Sequence, residues 1–302
     1  MRFCSIFSLK KWVELYIHSE RAKKLPDREY LKLRYYAVMG RKLRLDNPCT
    51  FNEKLQWLKL YNRRPEYTMM VDKYAVRKYI ADKLGEEYLI PLLGVWDDPS
   101  EINFDELPEQ FVLKCNHNSG LGMRICKDKS VLDIESVKKE LSKGLKQDYY
   151  LIGREWPYKN VPKKIIAEKY ISDSKGFDTL TDYKFYCFNG VVESVMLCLD
   201  RYTGDTKFYF FDEDWNLRRY NLRGKAALDG FTLPKPKGID RMFEIARILS
   251  KGIPYVRVDL YNIDGDIFFS ELTFFPQSGF DPNYLLETDK YFGQLIKLED
   301  ME

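Results

Sequence analysis

The sequence predicts an α+β protein of two small lobes behind a helical N-terminal region, and three observations predict it. Apolar residues recur at three- and four-residue steps from the start of the chain to about residue 85. Short β-branched or aromatic runs separated by turn residues then take over. Near the C-terminus two apolar runs are joined by Asn262-Ile263-Asp264-Gly265-Asp266, and the Asp-Gly pair, which tolerates positive φ, marks a hairpin. The first boundary that follows is the end of a helical region over 1–85.

In the helical region KKWVELYIHS, REYLKLRYYAVMG, TFNEKLQWLKLYN and the longer TMMVDKYAVRKYIADKLG each carry an apolar stripe. Thr50 and Glu53, three residues apart, form a capping box at the head of the third, and Gly85 ends the fourth. Residues 1–24 read as a basic amphipathic helix carrying Phe3, Ile6, Phe7, Leu9, Trp12, Val13 and Leu15. Such a helix docks on the rest of the chain or rests on the inner face of a membrane. It lacks the small-residue cleavage site of a signal peptide.

Strands are expected in EEYLIPLLGVW, QFVLKCNH, MRICK, KKIIAEKYI, YKFYCFNGVVESVMLCLD and KFYFFD. One helix, VLDIESVKKELSKGLKQDYYLI, interrupts them, and another, RMFEIARILSKG, precedes the final hairpin. RGKAALDGFTLPKPKG is the most loop-like stretch, and neither an internal repeat nor a low-complexity segment occurs.

Composition narrows the function. The 49 basic and 46 acidic residues leave a net charge of only +3, without the concentrated basic face of a nucleic-acid binder. Six cysteines occur with no CxxC pair, which fits reduced, packed thiols in a cytoplasmic protein. Two histidines, His18 and His117, are too few for a His-ligated zinc site. No run of 18 apolar residues exists to span a membrane. The 22 Tyr, 19 Phe and 5 Trp read first as core and half-buried packing, with sugar stacking as the other use.

Three segments carry candidate chemistry. Arg257 and Asp259 lie two apart on one strand of the hairpin and Glu271 and Thr273 two apart on the other, so each pair shares a face. With the turn at Asp264-Gly265, Asp259 and Glu271 come close across the ladder. Neighbouring carboxylates repel unless a cation lies between them, and hard oxygen ligands suit Mg²⁺ that is also held by phosphate oxygens. The second segment, QFVLKCNHNSGLGMRICKD, delivers Lys114 at a strand end and then a loop of small residues, Asn116, Asn118, Ser119, Gly120 and Gly122. Backbone N–H groups of such a loop can approach phosphate. The third, KKIIAEKYI, runs a buried strand into Glu168, Lys169, Tyr170 and Ile171.

In this order, together with Lys73, the segments resemble the ATP-grasp superfamily. LDNPCTFNEKLQWLKLYNR, VDKYAVRKYI, FVLKCNHNSG, IIAEKYI, DYKFYCFNG and RVDLYNIDGDIFFSELTFFPQSGF resemble its TupA-like branch, associated with bacterial surface polysaccharide and teichuronopeptide synthesis, over roughly residues 45–298. The resemblance implies an ATP-grasp fold whose two α+β lobes, a first over 86–172 and a second over 173–302, clasp ATP. It implies that Lys73 and Lys114 hold phosphates, that the loop containing Asn116, Ser119 and Gly120 closes over them, and that Glu168 and the backbone of Lys169, Tyr170 and Ile171 receive adenine. Asp259, Glu271 and Thr273 are then the Mg²⁺ site, and Arg257 stabilises the transferring phosphoryl group. Lys184 is a further candidate contact to phosphate or acceptor, and Arg201 to acceptor. Thr273 stands where relatives place Asn, which puts direct coordination by it in question.

The activity so implied is an ATP- and Mg²⁺-dependent carboxylate–amine ligation through an acyl phosphate, on a small or polysaccharide-precursor carboxylate. A sugar kinase using the same cleft and a glycosyltransferase are the alternatives. The latter would need an acidic metal pair, for which Asp212-Glu213-Asp214 is the one candidate.

Overall fold

The computed structural model describes residues 9–172, 180–199 and 205–298. Among the described residues six α-helices precede the first strand: α1 (Leu9–Ile17), α2 (Glu20–Lys23), α3 (Asp27–Met39), α4 (Phe51–Tyr61), α5 (Glu66–Val71) and α6 (Val76–Leu84). The capping box forms at the head of α4, and Gly85 closes α6 at φ 115°. The expected single helix over residues 68–85 is broken into α5 and α6 at Asp72. Its carboxylate accepts hydrogen bonds from the N–H groups of Tyr74 (2.8 Å) and Ala75 (3.2 Å), a local bond that competes with the helix. Lys73 is thereby carried out on a non-helical turn.

The first lobe is an antiparallel sheet of β1 (Leu92–Trp96), β2 (Phe111–Cys115), β3 (Met123–Cys126) and β4 (Ile165–Lys169), in the order β1-β4-β2-β3. The expected interrupting helix is two, α7 (Ile134–Lys146) and α8 (Tyr150–Gly153). Gln147 turns extended between them, and its carbonyl accepts hydrogen bonds from His117 and Lys163. α7 covers one face of the sheet through Val137 and Leu141, which pack with Phe111, Leu113, Ile165 and Ala167. Alternation puts Lys114 and Glu168 on the other face.

The second lobe is a six-stranded antiparallel sheet: β5 (Asp182–Phe188), β6 (Val191–Leu199), β7 (Lys207–Phe211), β8 (Leu217–Arg218), β9 (Val256–Ile263) and β10 (Asp266–Thr273), in the order β10-β9-β5-β6-β7-β8. After the short α9 (Leu222–Ala226), α10 (Ile239–Ser250) packs on one face, where Phe243 meets Phe185 edge-on at 5.1 Å. The face of Tyr186 is covered by α4 and by α11 (Leu286–Leu295). There the ring of Phe51 meets Phe188, Tyr255, Tyr284 and Phe292 at 4.8–6.1 Å. Much of the aromatic excess is therefore core. Tyr209, Phe210, Phe211 and Trp215 belong to the same buried cluster.

The helical region is built into the second lobe, because Phe51, Leu55 and Leu58 of α4 share one core with β5, β9 and α11. The five described cysteines are unpaired. On α1, Trp12 and Leu15 are exposed. Phe3, Ile6, Phe7 and Arg201, and the side chain of Leu9, lie outside the described residues. Among the described residues no helix is long and apolar enough to cross a membrane.

Candidate active site

The hairpin turn falls at Asp264 (φ 55°) and Gly265 (φ 110°), with Ile263 opposite Asp266. A regular ladder from that turn would set Ser270 opposite Asp259 and send Glu271 to the far face. Instead the register shifts between Phe269 and Glu271, so that Glu271 lies opposite Asp259 and Thr273 opposite Arg257. A β-bulge at Ser270 thus brings the two carboxylates face to face.

Arg257 holds Asp259 with both arms of its fork, Nε to Oδ1 at 2.7 Å and Nη2 to Oδ2 at 2.6 Å. The same Nη2 reaches the Thr273 hydroxyl at 3.1 Å and Glu271 Oε1 at 3.4 Å. Lys184, opposite Asp259 on β5, donates to Asp259 Oδ2 at 2.7 Å and pairs with Asp182 at 3.3 Å. Burial raises the Asp259 carboxyl despite the pull of Arg257 and Lys184. Burial would raise Glu271 too, but Lys73, Lys184, Arg257 and the Thr273 hydroxyl outweigh it and hold its carboxyl at about 2. Glu271 is therefore an anion with 34% of its side chain still exposed.

The turn after α5 and the first lobe face this anion with cations. Burial lowers the Lys73 ammonium, and the strongest opposing influence is Glu271, followed in sign-alternating order by Lys114 and Glu168. Lys73 thus stands between the two sheets. Lys114 Nζ is 2.5 Å from Glu168 Oε2, and Arg77 Nη1 is 3.3 Å from Glu168 Oε1. The turn after α5, the end of β2, β4 and the C-terminal hairpin converge on one cleft, in the order in which the sequence lays them out.

A family model described as TupA-like ATPgrasp matches residues 53–297. The chain belongs to that family. Its fold is accordingly an ATP-grasp fold, with the helical N-terminal region as expected. No curated protein matches the chain. Among solved structures it is similar to D-alanine–D-alanine ligase from Bacillus anthracis in complex with ATP, at 17% identity and TM-score 0.46, covering 77% of this chain and 64% of that one. The chain thus spans less than two thirds of that enzyme's length. It is similar to the Helicobacter pylori D-alanine–D-alanine ligase at 14% identity and TM-score 0.44, covering 82% and 69% of the two chains. For the D-cycloserine synthetase DcsG the values are 15%, 0.40, 78% and 71%.

The remaining sequence-selected residues of this ATP-grasp chain divide into an exposed group and a buried one. Ser119 and Gly120 are exposed at the loop tip, where Gly120 has φ 82° and open space around it. Asn116 is fully buried, bonding Asp72 and the Pro162 carbonyl at 2.8 Å each through Nδ2, and accepting from the Lys164 N–H at 2.8 Å. Its side chain ties the loop to the turn that carries Lys73. Lys73 Nζ donates to the Asn118 carbonyl at 2.6 Å. The Lys169 N–H is bonded to the Pro91 carbonyl at 2.9 Å, and Tyr170 and Ile171 follow half-buried. His117 is buried against the Gln147 carbonyl at 3.1 Å, and burial pushes its imidazole down to about 4. It is a neutral packing residue of the loop.

Asp259 and Glu271 offer hard oxygens on one rung, which fits Mg²⁺ completed by phosphate and water oxygens. Among the described residues no group of three or more His, Cys, Asp or Glu forms a cage by itself. Thr273 donates to Glu271 Oε1 at 2.9 Å and so orients that carboxylate. Asp212, first of the acidic pair considered for a glycosyltransferase, caps its own turn by accepting from the Asn216 N–H at 2.8 Å, and Glu213 pairs with Arg247. Sequence reasoning missed Arg77, whose only signal was its position one helical turn beyond Lys73. It also missed the polar residues Gln56, Lys59 and Glu155, which lie under the loop after β10.

Proposed function

We propose that this chain is an ATP- and Mg²⁺-dependent carboxylate–amine ligase acting on a small carboxylate of the kind found in surface-polysaccharide precursors. The observation that carries the reading is the ionised Glu271 opposite Asp259, faced across the cleft by Lys73. Family membership supports nucleotide as the occupant.

Lys73 and Lys114 are placed to hold triphosphate oxygens. Lys114 then exchanges Glu168 for phosphate, which frees Glu168 and the strand end at Lys169, Tyr170 and Ile171 for the base. Asp259 and Glu271 would hold Mg²⁺, which when bound neutralises charge on the phosphates. For Asp259 this means handing part of its bonding to Arg257 over to the metal, and the released fork of Arg257 then turns to the transferring group. Lys184 keeps Asp259 oriented throughout and is the next cation available to the acceptor.

In the first step a carboxylate oxygen of the substrate attacks the γ-phosphorus, and the bond to the β–γ bridging oxygen breaks to release ADP. In the second an amine nitrogen attacks the acyl carbon of the acyl phosphate. The carbon–oxygen bond to phosphate breaks, and phosphate leaves with the nitrogen's proton. Positioning and charge do most of this work, which suits a cleft rich in lysine, arginine and carboxylate whose one described cleft-side histidine is neutral.

The test is phosphate release from ATP and Mg²⁺ with a panel of uronic acids and amino acids. Release that requires both a carboxylate and an amine supports the ligase. A phosphorylated sugar as the end product, with no amine requirement, replaces it with a kinase.

A further inference from the structure

Helix α4 carries Asn52, Gln56 and Lys59 at four- and three-residue steps, one stripe of the helix, and all three are at most 1% exposed. A buried polar stripe needs partners, and here they are the backbone of the loop that follows β10. Asn52 accepts from the Asp281 N–H at 2.8 Å through Oδ1 and donates to the Asp281 carbonyl at 3.2 Å through Nδ2. Gln56 Nε2 donates to the Gly279 carbonyl at 2.6 Å and the Ser278 carbonyl at 3.3 Å. Lys59 Nζ uses its three donors on the Ser278 carbonyl (2.6 Å), the Gly153 carbonyl (2.7 Å) and Gln56 Oε1 (2.9 Å). Its ammonium also lies 4.5 Å from the ring centre of Phe280. From the other side the Ser278 hydroxyl donates to the buried Glu155 at 2.6 Å.

What is held is a backbone that would not stay in this shape unaided. Gln277 (φ 50°, ψ 32°) and Ser278 (φ 52°, ψ 29°) are consecutive non-glycine residues in the left-handed region. Each is a strained backbone state that persists only where its surroundings over-determine it. Gly279 completes the fit, since a Cβ there would come within 2.5 Å of Gln56 Nε2 and 2.9 Å of Leu55 Cβ. The result stands beside the site. Gln277 and Asp281 line, with Arg257, Tyr186 and Tyr284, a small cavity of about 50 Å³ on the hairpin's C-terminal side.

We infer that Asn52, Gln56 and Lys59 are positioning residues that clamp residues 276–281 in a strained shape and so set the wall of the active site beside Arg257. The clamp gives the helical N-terminal region a part in the reaction, and only that consequence rests on the ligase reading. The loop is preformed, so an acceptor meeting Arg257 finds Gln277 already placed, without the ordering cost a free loop would add.

The test is amide hydrogen exchange on the intact protein, beside turnover in the uronic acid and amino acid panel. Lys59→Met is expected to speed exchange at residues 277–281 at least tenfold while the amides of β5 and β9 stay within twofold. Turnover should fall at least tenfold with the KM for ATP within twofold. Should Lys59→Met fail to fold, Gln56→Met, which removes the donor to the Gly279 and Ser278 carbonyls, is expected to show the same local exchange and the same split. Loop exchange that rises no more than exchange in β5 and β9, or an ATP KM that rises in step with the loss of turnover, would reduce Lys59 to an ordinary core residue and overturn the clamp. Wild-type protein that releases no phosphate with any pair would count against the ligase reading, and the exchange measurement would still decide on the clamp.

Discussion

The two lobes present charge to the cleft in different ways. On the second-lobe sheet the charged groups are mutually bonded and deep: Asp259 is 1% exposed and lies between Arg257 and Lys184. On the first-lobe side they sit at a break and a strand end: Lys73 on the turn between α5 and α6 of the helical region, and Lys114 at the end of β2. The contrast teaches that the Asp259 wall is held together by its own ion pairs, whereas the facing cations Lys73 and Lys114 are carried by a turn and a strand end.

That difference can be broken first on the Asp259 side. Asp259→Asn leaves Arg257 and Lys184 buried with a neutral partner. It is expected to lower stability by about 3–5 kcal/mol as well as to abolish Mg²⁺-dependent turnover. Glu271→Gln, at a half-exposed site, is expected to lower turnover by about 100-fold or more with a smaller loss of stability than Asp259→Asn. Denaturation and phosphate release on the two variants test the pair, and equal stability losses would mean that the wall is not organised as described.

On the facing side Lys114→Ala should weaken ATP binding by about 1.5–3 kcal/mol with little change in stability, read by titration calorimetry. Unchanged affinity would remove Lys114 from the phosphate site. The smallest expected effects are in pH. Glu271 has its folded value lowered from 4.5 to about 2, so its contribution to stability is present above 4.5 and is lost as pH falls through 2. His117 is lowered from 6.5 to about 4, so stability tied to its neutral form is present above 6.5 and is lost as pH falls toward 4. Denaturation midpoints between pH 7 and pH 4 should therefore fall less for His117→Asn than for wild type, and parallel curves would show that His117 is not buried neutral.

The helical stripes, the capping box at Thr50, the strands and the Asp-Gly turn were all legible, because each is set by residues close in sequence. The order of Lys73, Lys114, Glu168, Arg257, Asp259 and Glu271 was legible for the same reason. Where local signals competed, the reading slipped. The apolar stripe through Met69 and Ile80 predicted one helix, but the Asp72 carboxylate bonds its own backbone and breaks it. Asn116 looked like a phosphate-loop residue because small polar residues read alike in a loop, and its side chain is buried on Asp72 and Pro162.

The sequence by itself determined the lobes, the hairpin and the identity of the charged groups, since hydrophobic period and turn chemistry are properties of neighbours along the chain. Tertiary structure decided which face Glu271 takes, because the bulge at Ser270 shows no one-letter signal and turns on how β10 lies against β9. It also decided the use of Asn52, Gln56 and Lys59. Their partners lie more than 200 residues away at Ser278, Gly279 and Asp281, and only packing α4 against the second lobe brings those carbonyls within hydrogen-bond reach.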